Sequence, residues 1–168
     1  MTLPNDIVGE TALIDGAGAL VTVSKIEKDL GFKFPTAWRN LLANFSGPIQ
    51  FQSPVILKKS PLTNEGVRIN LILGRNTGNA GIIQANSTYD GRVARKLIPV
   101  AESGGGDIIF FDPDNGNVLL WDHECTHGEF SECALSLISE SLDELLNSIE
   151  LDVENTDDSG LASIKLDF

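Results

Sequence analysis

The sequence predicts a single domain of the α+β class, in which helices and strands share one hydrophobic core. Its 168 residues, 42% of them hydrophobic, suit one domain of ordinary globular composition. Two strand-forming runs, Ile108–Phe111 and Val118–Trp121, flank an Asp-Pro-Asp-Asn-Gly sequence at 112–116 and therefore predict a β-hairpin. Residues 35–45 place apolar side chains at the spacing of one helical face, which predicts an amphipathic helix.

Two short helices are predicted near the start of the chain. Ser24 and Glu27 have the spacing of a capping box for the first helix, although Thr22 could cap it instead. Gly31 ends this helix, because glycine readily adopts the left-handed conformation that follows a last turn. The second helix opens at Pro35, in the first turn, where proline is tolerated. Its apolar face, which we expect in the core, consists of Trp38, Leu41, Leu42 and Phe45.

The middle of the chain is predicted to form most of the sheet. Residues 49–51 and 55–57 are strand-like and flank a break at Ser53-Pro54, and residues 67–73 alternate largely between apolar and polar side chains. A short helix is predicted within residues 80–89. The two hairpin runs are apolar at nearly every position, so we expect both strands to be buried on both faces near the centre of the sheet.

The predicted domain does not include the two ends of the chain. A last helix is predicted, capped by Ser139 or Ser141; Ser141 has the capping-box spacing to Glu144. Asp15-Gly16 could turn a small hairpin near the N-terminus. The predicted divisions are residues 1–23 as a leader or small hairpin, residues 24–150 as the domain, and residues 151–168 as an acidic C-terminal extension.

Charge is distributed unevenly along the chain, whose formal net charge is −12. Residues 1–100 contain seven acidic and eleven basic side chains, whereas residues 101–168 contain seventeen acidic side chains and one basic side chain, Lys165. A half this acidic should repel nucleic acid and anionic membranes and attract a basic partner. The alternative is that the charge serves solubility and a solvated tail.

The sequence shows no pattern of membrane insertion or export. No apolar run approaches the roughly 18 residues of a membrane helix. No basic residue precedes Lys25, and acidic residues and glycines interrupt the apolar residues before it, which is not the pattern of a secretory signal. Two cysteines do not make a disulfide framework. We therefore expect a cytoplasmic protein.

Two glycine-containing motifs are rejected as ligand sites. Gly104–Gly106 precedes a strand and has no lysine nearby, unlike a phosphate loop, so we interpret it as a turn or a close backbone approach. A calcium loop beginning at Asp112 would place Gly116 at its fifth position and His123 at its twelfth, where oxygen ligands are required. We interpret that segment as the hairpin turn.

The histidines and cysteines of the chain lie close together in sequence. They are His123, Cys125, His127 and Cys133. In a strand the first three would share one face, and with the fourth they could hold zinc, but the spacing matches no common zinc module. A nucleophile also needs a base and an orienting acid, and side chains two apart in a strand, such as Cys125 and His127, point the same way without necessarily meeting. We predict no metal, no cofactor and no enzymatic activity, with a zinc-binding enzyme as an alternative.

Three segments, in this order and at this spacing, carry a family resemblance. The first is IEKDLGFKFPTAWRNLL at 26–42. It is similar to an opening in which a helix is followed by Leu-Gly, Leu-Pro, an aromatic residue and Phe-Leu. Phe45-Ser46-Gly47 departs slightly from the aromatic-Asn-Gly step expected next. The second leads from Ile-Pro-Val at 98–100 into GGDIIF at 105–110, and the third is VLLWDHE at 118–124. With the late helix near Ser141, these segments resemble the SUKH superfamily, which includes yeast cell-wall-assembly regulators and many bacterial toxin-immunity proteins.

The resemblance implies a single α+β domain whose mostly antiparallel central sheet is flanked by helices. It also implies a protein that binds another protein and performs no chemistry. Many bacterial members are encoded beside secreted polymorphic toxins and bind them in the cytoplasm. We therefore predict an immunity protein that neutralises a cognate toxin domain by occlusion, with a regulatory or scaffold protein as the alternative. The sequence does not distinguish a monomer from a dimer.

Acidic side chains cluster at the ends of the predicted hairpin and in the segment after it. We predict that they bind a basic toxin domain, such as a nuclease, because a negative surface can mimic the charge of a phosphate substrate. Trp121 is the candidate aromatic anchor, with burial in the core as the alternative. The predicted partner-binding residues are Asp107, Asp112, Asp114, Trp121, Asp122, Glu124, Glu129 and Glu132.

Overall fold

Helices and strands follow one another along the chain and form a sheet with helices packed against it. The computed structural model describes residues 11–13, 21–45, 47–58 and 66–152. The α-helices of these residues are α1 (Val23–Leu30), α2 (Thr36–Asn44), α3 (Ile82–Tyr89) and α4 (Leu142–Ser148). Their strands are β1 (Thr11–Leu13), β2 (Ile49–Leu57), β3 (Val67–Ile72), β4 (Ile98–Ser103), β5 (Ile108–Phe111), β6 (Val118–Trp121), β7 (Leu135–Ser139) and β8 (Ile149–Leu151).

The eight strands form one curled antiparallel sheet. Its order is β1-β2-β3-β4-β5-β6-β7, so neighbours in sequence are neighbours in space. Strand β8 returns to β2 on the edge that β1 also uses: β1 pairs with residues 49–51 and β8 with residues 55–57. The predicted fold class, α+β with an antiparallel central sheet flanked by helices, is confirmed.

The central hairpin β5–β6 is buried on both faces, as its sequence predicts. On one face, Ile109, Phe111 and Val118 belong to the main core together with residues of α1, α2 and α4. Alternate residues point the other way and form a second apolar cluster, which is completed from outside the hairpin by Leu97 and Ala134. The hairpin residues of this second cluster are Ile108, Phe110, Leu119 and Trp121.

Thr22 caps the first helix, and the predicted capping box of Ser24 and Glu27 is wrong. The hydroxyl of Thr22 accepts a hydrogen bond from the Lys25 N–H (3.2 Å), and Gly31 ends the helix in the left-handed conformation (φ 70°). The carboxylate of Glu27 instead points into the connection to α2. There it accepts the buried Phe34 N–H (3.1 Å) and contacts Arg39 Nε (2.9 Å).

The remaining predicted helices are present, with shifts at their starts. Helix α2 begins at Thr36, one residue after Pro35, and α3 occupies the predicted segment 80–89 from Ile82 onward. Ser141 caps α4 by accepting the Glu144 N–H (3.1 Å), as predicted, whereas the Glu144 carboxylate accepts the N–H of Glu140 (2.9 Å) in place of that of Ser141. None of the helices in the described part of the chain is both long and apolar enough to cross a membrane.

Two features of the sheet differ from the sequence prediction. Strand β2 continues through Ser53-Pro54, where a bulge shifts the register between Gln50 and Val55; the prediction of a break there is wrong. Within this bulge, the Pro54 carbonyl accepts a hydrogen bond from the Asp152 N–H (2.8 Å). Strand β7 was not predicted, because its Leu-Ser-Leu-Ile-Ser sequence is short and half polar.

The predictions for the chain ends lie mainly outside the described residues. Thr11–Leu13 forms a strand, but it pairs with β2, whereas residues 14–20 of the predicted small hairpin are outside the description. At the other end, Ile149–Leu151 pairs with β2. The predicted acidic extension beyond residue 152 is outside the described part of the chain.

Candidate functional site

The hairpin β5–β6 carries predicted acidic residues at each of its ends. Asp107 precedes β5 and Asp122 follows β6. Because Ile108 pairs with Trp121 at this end of the hairpin, the two acids lie beside each other, and their carboxylates are within 4.8 Å. Asp112 and Asp114 lie in the turn at the other end, where Asp112 Oδ1 accepts the Asp114 N–H (3.0 Å). These four acids are therefore divided between two ends of the hairpin.

The end that contains Asp107 is closed by His123. Asp107 Oδ1 accepts the His123 backbone N–H (3.3 Å) and lies 2.9 Å from the imidazole Nδ1. The ring lies against the triple glycine, and a Cβ built on Gly106 would be 3.2 Å from its Cε1. The hydrogen bond to Asp107 raises the pKa of His123, and the negative charges of Glu124 and Asp122 act in the same direction.

Residues 122–134, which we call the 122–134 loop, connect β6 to β7 as a series of turns. Backbone N–H groups bond to carbonyl oxygens three residues earlier at 125→122 (3.3 Å), 128→125 (2.8 Å), 131→128 (3.0 Å) and 134→131 (3.0 Å). The Asp122 N–H bonds to the Ala134 carbonyl (2.9 Å) and closes the loop at its base. The loop is irregular, and its own backbone hydrogen bonds determine its shape.

Glu129 fixes the middle of this loop to the hairpin. Its carbonyl oxygen accepts the indole Nε1–H of Trp121 (2.9 Å), and its carboxylate pairs with Arg92 Nη2 (2.6 Å). The Arg92 guanidinium also lies over the rings of Tyr89 (5.5 Å) and Trp121 (5.3 Å), at cation–π distance. Trp121 and Arg92 thus hold the loop in place at Glu129.

Arg95 makes a second connection, between the hairpin turn and the loop. Its Nη1 lies 3.0 Å from Asp112 Oδ2, and its Nη2 lies 3.7 Å from Glu132 Oε2. The Asp112 side chain is 2% exposed, so this ion pair compensates a buried carboxylate, while Glu132 is at the surface. Arg92 and Arg95 together offset part of the negative charge that the sequence predicted for this region.

The predicted partner-binding residues consequently fall into three groups. Trp121, 1% exposed, and Asp112 are buried and are positioned to support the surface from beneath. Asp107 and Glu129 are partly exposed and already hold bonds to His123 and Arg92. The exposed acids are Asp114, Asp122, Glu124 and Glu132.

The structure does not assemble the four residues considered as zinc ligands. Within the described residues, the group of potential ligands that comes within metal-binding distance consists of Asp107, Asp122 and His123. Cys125, His127 and Cys133 are not part of it; the two cysteines are free thiols. Asp107 Oδ1 and Asp122 Oδ1 accept hydrogen bonds from His123 and Glu124, so the group closes the hairpin end, and we assign no metal to it.

Sequence reasoning missed the residues that support and extend this surface. Arg92 and Arg95 lie in the connection before β4 and gain their role only through long-range contacts with Glu129 and Asp112. Phe130 is 59% exposed and is the large hydrophobic side chain with high exposure among the described residues. A lone aromatic between Gly128-Glu129 and Ser131-Glu132 is a signal that could have identified it.

The fold and the site define a class of protein: an α+β domain whose candidate site is an exposed, acidic loop surface. A family model for the SMI1/KNR4 family (SUKH-1) matches residues 20–148. The chain therefore belongs to the SMI1/KNR4 family, as its sequence motifs predicted. It is also 30% identical over 171 residues to the SPbeta prophage-derived uncharacterized protein YokK of Bacillus subtilis (strain 168), covering 86% of this chain and 82% of that relative.

Proposed function

We propose that this chain is an immunity protein that binds a cognate bacterial toxin domain in the cytoplasm and neutralises it by occlusion. The observation that carries the proposal is the acidic surface formed by the hairpin ends and the 122–134 loop, in a chain of the SMI1/KNR4 family. Binding that covers an active site or a substrate path inhibits without chemistry. The proposal therefore requires neither a catalytic group nor a cofactor.

The charge of this surface supports a basic partner. After Arg92 and Arg95 are paired, exposed carboxylates without an arginine contact remain at Asp114, Asp122 and Glu124. Toxins that act on nucleic acid carry positive charge because they bind phosphates. A negative surface opposite such a site would accelerate encounter and exclude the nucleic acid substrate.

The architecture supports a surface of fixed shape. The hairpin beneath it is buried on both faces, and the 122–134 loop is tied to it through Glu129 and Glu132. Surfaces that change little on binding lose less conformational entropy. An interface of ordinary size, about 800 Å² on each partner, would extend beyond the loop to one of the hairpin ends.

Co-purification with the product of a neighbouring gene tests the proposal. Where that gene encodes a large secreted protein, its C-terminal domain should form a complex with this chain and lose its toxicity on co-expression. Failure to bind that domain would contradict the proposal. A regulatory or scaffold role, the alternative, is favoured where no toxin gene is adjacent.

Association kinetics test the acidic surface itself. The double variant Asp122→Asn, Glu124→Gln removes two exposed charges while retaining an oxygen acceptor at position 122. We expect its association rate to fall several-fold at low salt, and the wild-type rate to fall at least about tenfold as the salt concentration rises. Asp143→Asn, in the exposed first turn of α4, removes one charge outside the hairpin and the 122–134 loop; it is the control and should change the rate little. A wild-type rate independent of salt would contradict this account.

A further inference from the structure

Phe130 differs from the other large apolar residues of the described chain by its exposure. It is 59% exposed, whereas the apolar side chains of the hairpin are buried or nearly so. A single exposed apolar side chain is ordinary at a protein surface. Phe130 becomes a candidate for partner binding because of how the fold holds it and because of the charge around it.

Hydrogen bonds within the chain fix the backbone at Phe130. Phe130 is the third residue of the turn from Gly128 to Ser131, which is closed by the Ser131 N–H and the Gly128 carbonyl (3.0 Å). The residue before it, Glu129, is held by Trp121 and Arg92. A side chain presented on an ordered backbone binds with less loss of entropy than one on a mobile loop.

Trp121 and Phe130 have different roles at this surface: the first fixes the loop, and the second exposes an aromatic ring. Trp121 is buried and uses its indole N–H to hold the Glu129 carbonyl, so its contribution is internal. Phe130 follows directly on the residue held in this way and leaves its ring in solvent. Aromatic rings at the centre of an interface, surrounded by polar contacts, are typical binding hot spots.

The charge of the loop indicates the chemistry of the partner. All charged side chains of the 122–134 loop are acidic, with histidines counted as neutral: Asp122, Glu124, Glu129 and Glu132. Arg92 and Arg95 contact two of them from outside the loop and leave the region negative. A partner that buries the Phe130 ring here must bring Lys or Arg side chains to the rim of the apolar pocket that receives it.

We propose that Phe130, held on the 122–134 loop, is the apolar anchor by which this chain docks a basic protein domain, inserting into an apolar pocket bordered by positive charge. This inference rests on the proposed function and names the contact that determines how long the complex lasts. The acids around it govern encounter, and the ring governs dissociation.

Binding kinetics of the full chain with the toxin-like C-terminal domain of the neighbouring gene test the anchor. Phe130→Ala should raise the dissociation rate at least tenfold, or about 1.4 kcal/mol, and leave the association rate and its salt dependence unchanged. Phe130→Tyr should restore most of the residence time, because it retains the ring. Thr126→Ala, an exposed change on the same loop, is the control and should match the wild type.

The outcomes separate this inference from the proposed function. Dissociation of Phe130→Ala within twofold of the wild type overturns the anchor and leaves the immunity function standing. No binding by the wild-type chain overturns both. Sedimentation of the chain alone gives a third result: a wild-type dimer that Phe130→Ala converts to a monomer would make the ring a contact between copies and overturn the anchor. Urea unfolding should show Phe130→Ala as stable as the wild type, because the ring is largely exposed.

Discussion

Asp107 and His123 bond to each other twice across the end of the central hairpin. The His123 N–H donates to Asp107 Oδ1 (3.3 Å), and the imidazole Nδ1 lies 2.9 Å from the same oxygen. One carboxylate therefore fixes both the backbone that leaves β6 and the orientation of the ring. The bonds also keep the ring over the triple glycine that leads into β5.

The first prediction concerns the pH dependence of this pair. The hydrogen bond to Asp107 raises the pKa of His123 above its ordinary value of 6.5, so the folded chain favours the charged imidazole. The resulting stabilisation is complete below pH 6.5 and disappears as the pH rises through the raised pKa. We expect Asp107→Asn to lower the pKa of His123, measured by NMR titration of the imidazole Cε1 proton.

Equal pKa values of His123 in the wild type and in Asp107→Asn would contradict the assigned cause of the shift.

The second prediction separates two roles of the triple glycine by alanine substitution. Gly106 has φ 101° and a Cβ there would meet His123 Cε1 at 3.2 Å, whereas Gly105 has φ 74° and open space around it. Gly104 has neither a positive φ nor a neighbour within 4 Å. We expect Gly106→Ala to destabilise most, Gly105→Ala by about 1 kcal/mol, and Gly104→Ala little or not at all.

Urea unfolding of the three variants measures this order. A loss of stability in Gly106→Ala equal to that in Gly105→Ala would mean that the His123 ring moves aside without cost. In that case the hydrogen bond to Asp107, observed by the His123 titration, should remain intact in Gly106→Ala.

The sequence predicts the fold well where local patterns agree with burial. The hairpin 108–121 and the helix containing Trp38 are clear, because a tight turn between two β-rich runs and a helical apolar stripe are local signals. β7 was missed, because its short, half-polar sequence becomes a strand only beside β6. Glu27 was assigned to the wrong partner, because its contacts to Phe34 and Arg39 depend on how the next helix packs.

The candidate site could be predicted only in part. Spacing alone places Asp107 and Asp122 beside each other, once a hairpin between them is recognised. Spacing does not reveal that Arg95, in the connection before β4, forms an ion pair with Asp112. Nor does it decide between Trp121 and Phe130 as the exposed aromatic, because that depends on the loop folding over the second face of the hairpin.

The third prediction compares the two tryptophans, both of which are almost fully buried. Trp121 Nε1–H has an acceptor in the Glu129 carbonyl, whereas Trp38 Nε1 has no hydrogen-bond partner among the described residues. Changing each to Phe removes a similar volume, but only Trp121→Phe leaves a carbonyl without its donor. We expect Trp121→Phe to lower the free energy of unfolding by about 1 kcal/mol more than Trp38→Phe, measured by urea unfolding. The reverse order would argue against a stabilising role for the Glu129 bond.

The fourth prediction concerns Glu27, which is 7% exposed and joins α1 to α2. Glu27→Ala leaves the buried Phe34 N–H without an acceptor, so we expect a loss of about 1–3 kcal/mol in the free energy of unfolding. Glu27→Gln keeps a carbonyl oxygen for that N–H and loses only the charge that faces Arg39, so it should cost less.

Arg39→Ala completes a cycle that isolates the ion pair. Because the Arg39 side chain is 47% exposed, water screens its charge, and the coupling between Glu27→Gln and Arg39→Ala should be about 0.2–1 kcal/mol. Urea unfolding of the single and double variants measures it. Glu27→Gln as destabilised as Glu27→Ala would show that the charge, and not the hydrogen bond to Phe34, makes Glu27 the link between the two helices.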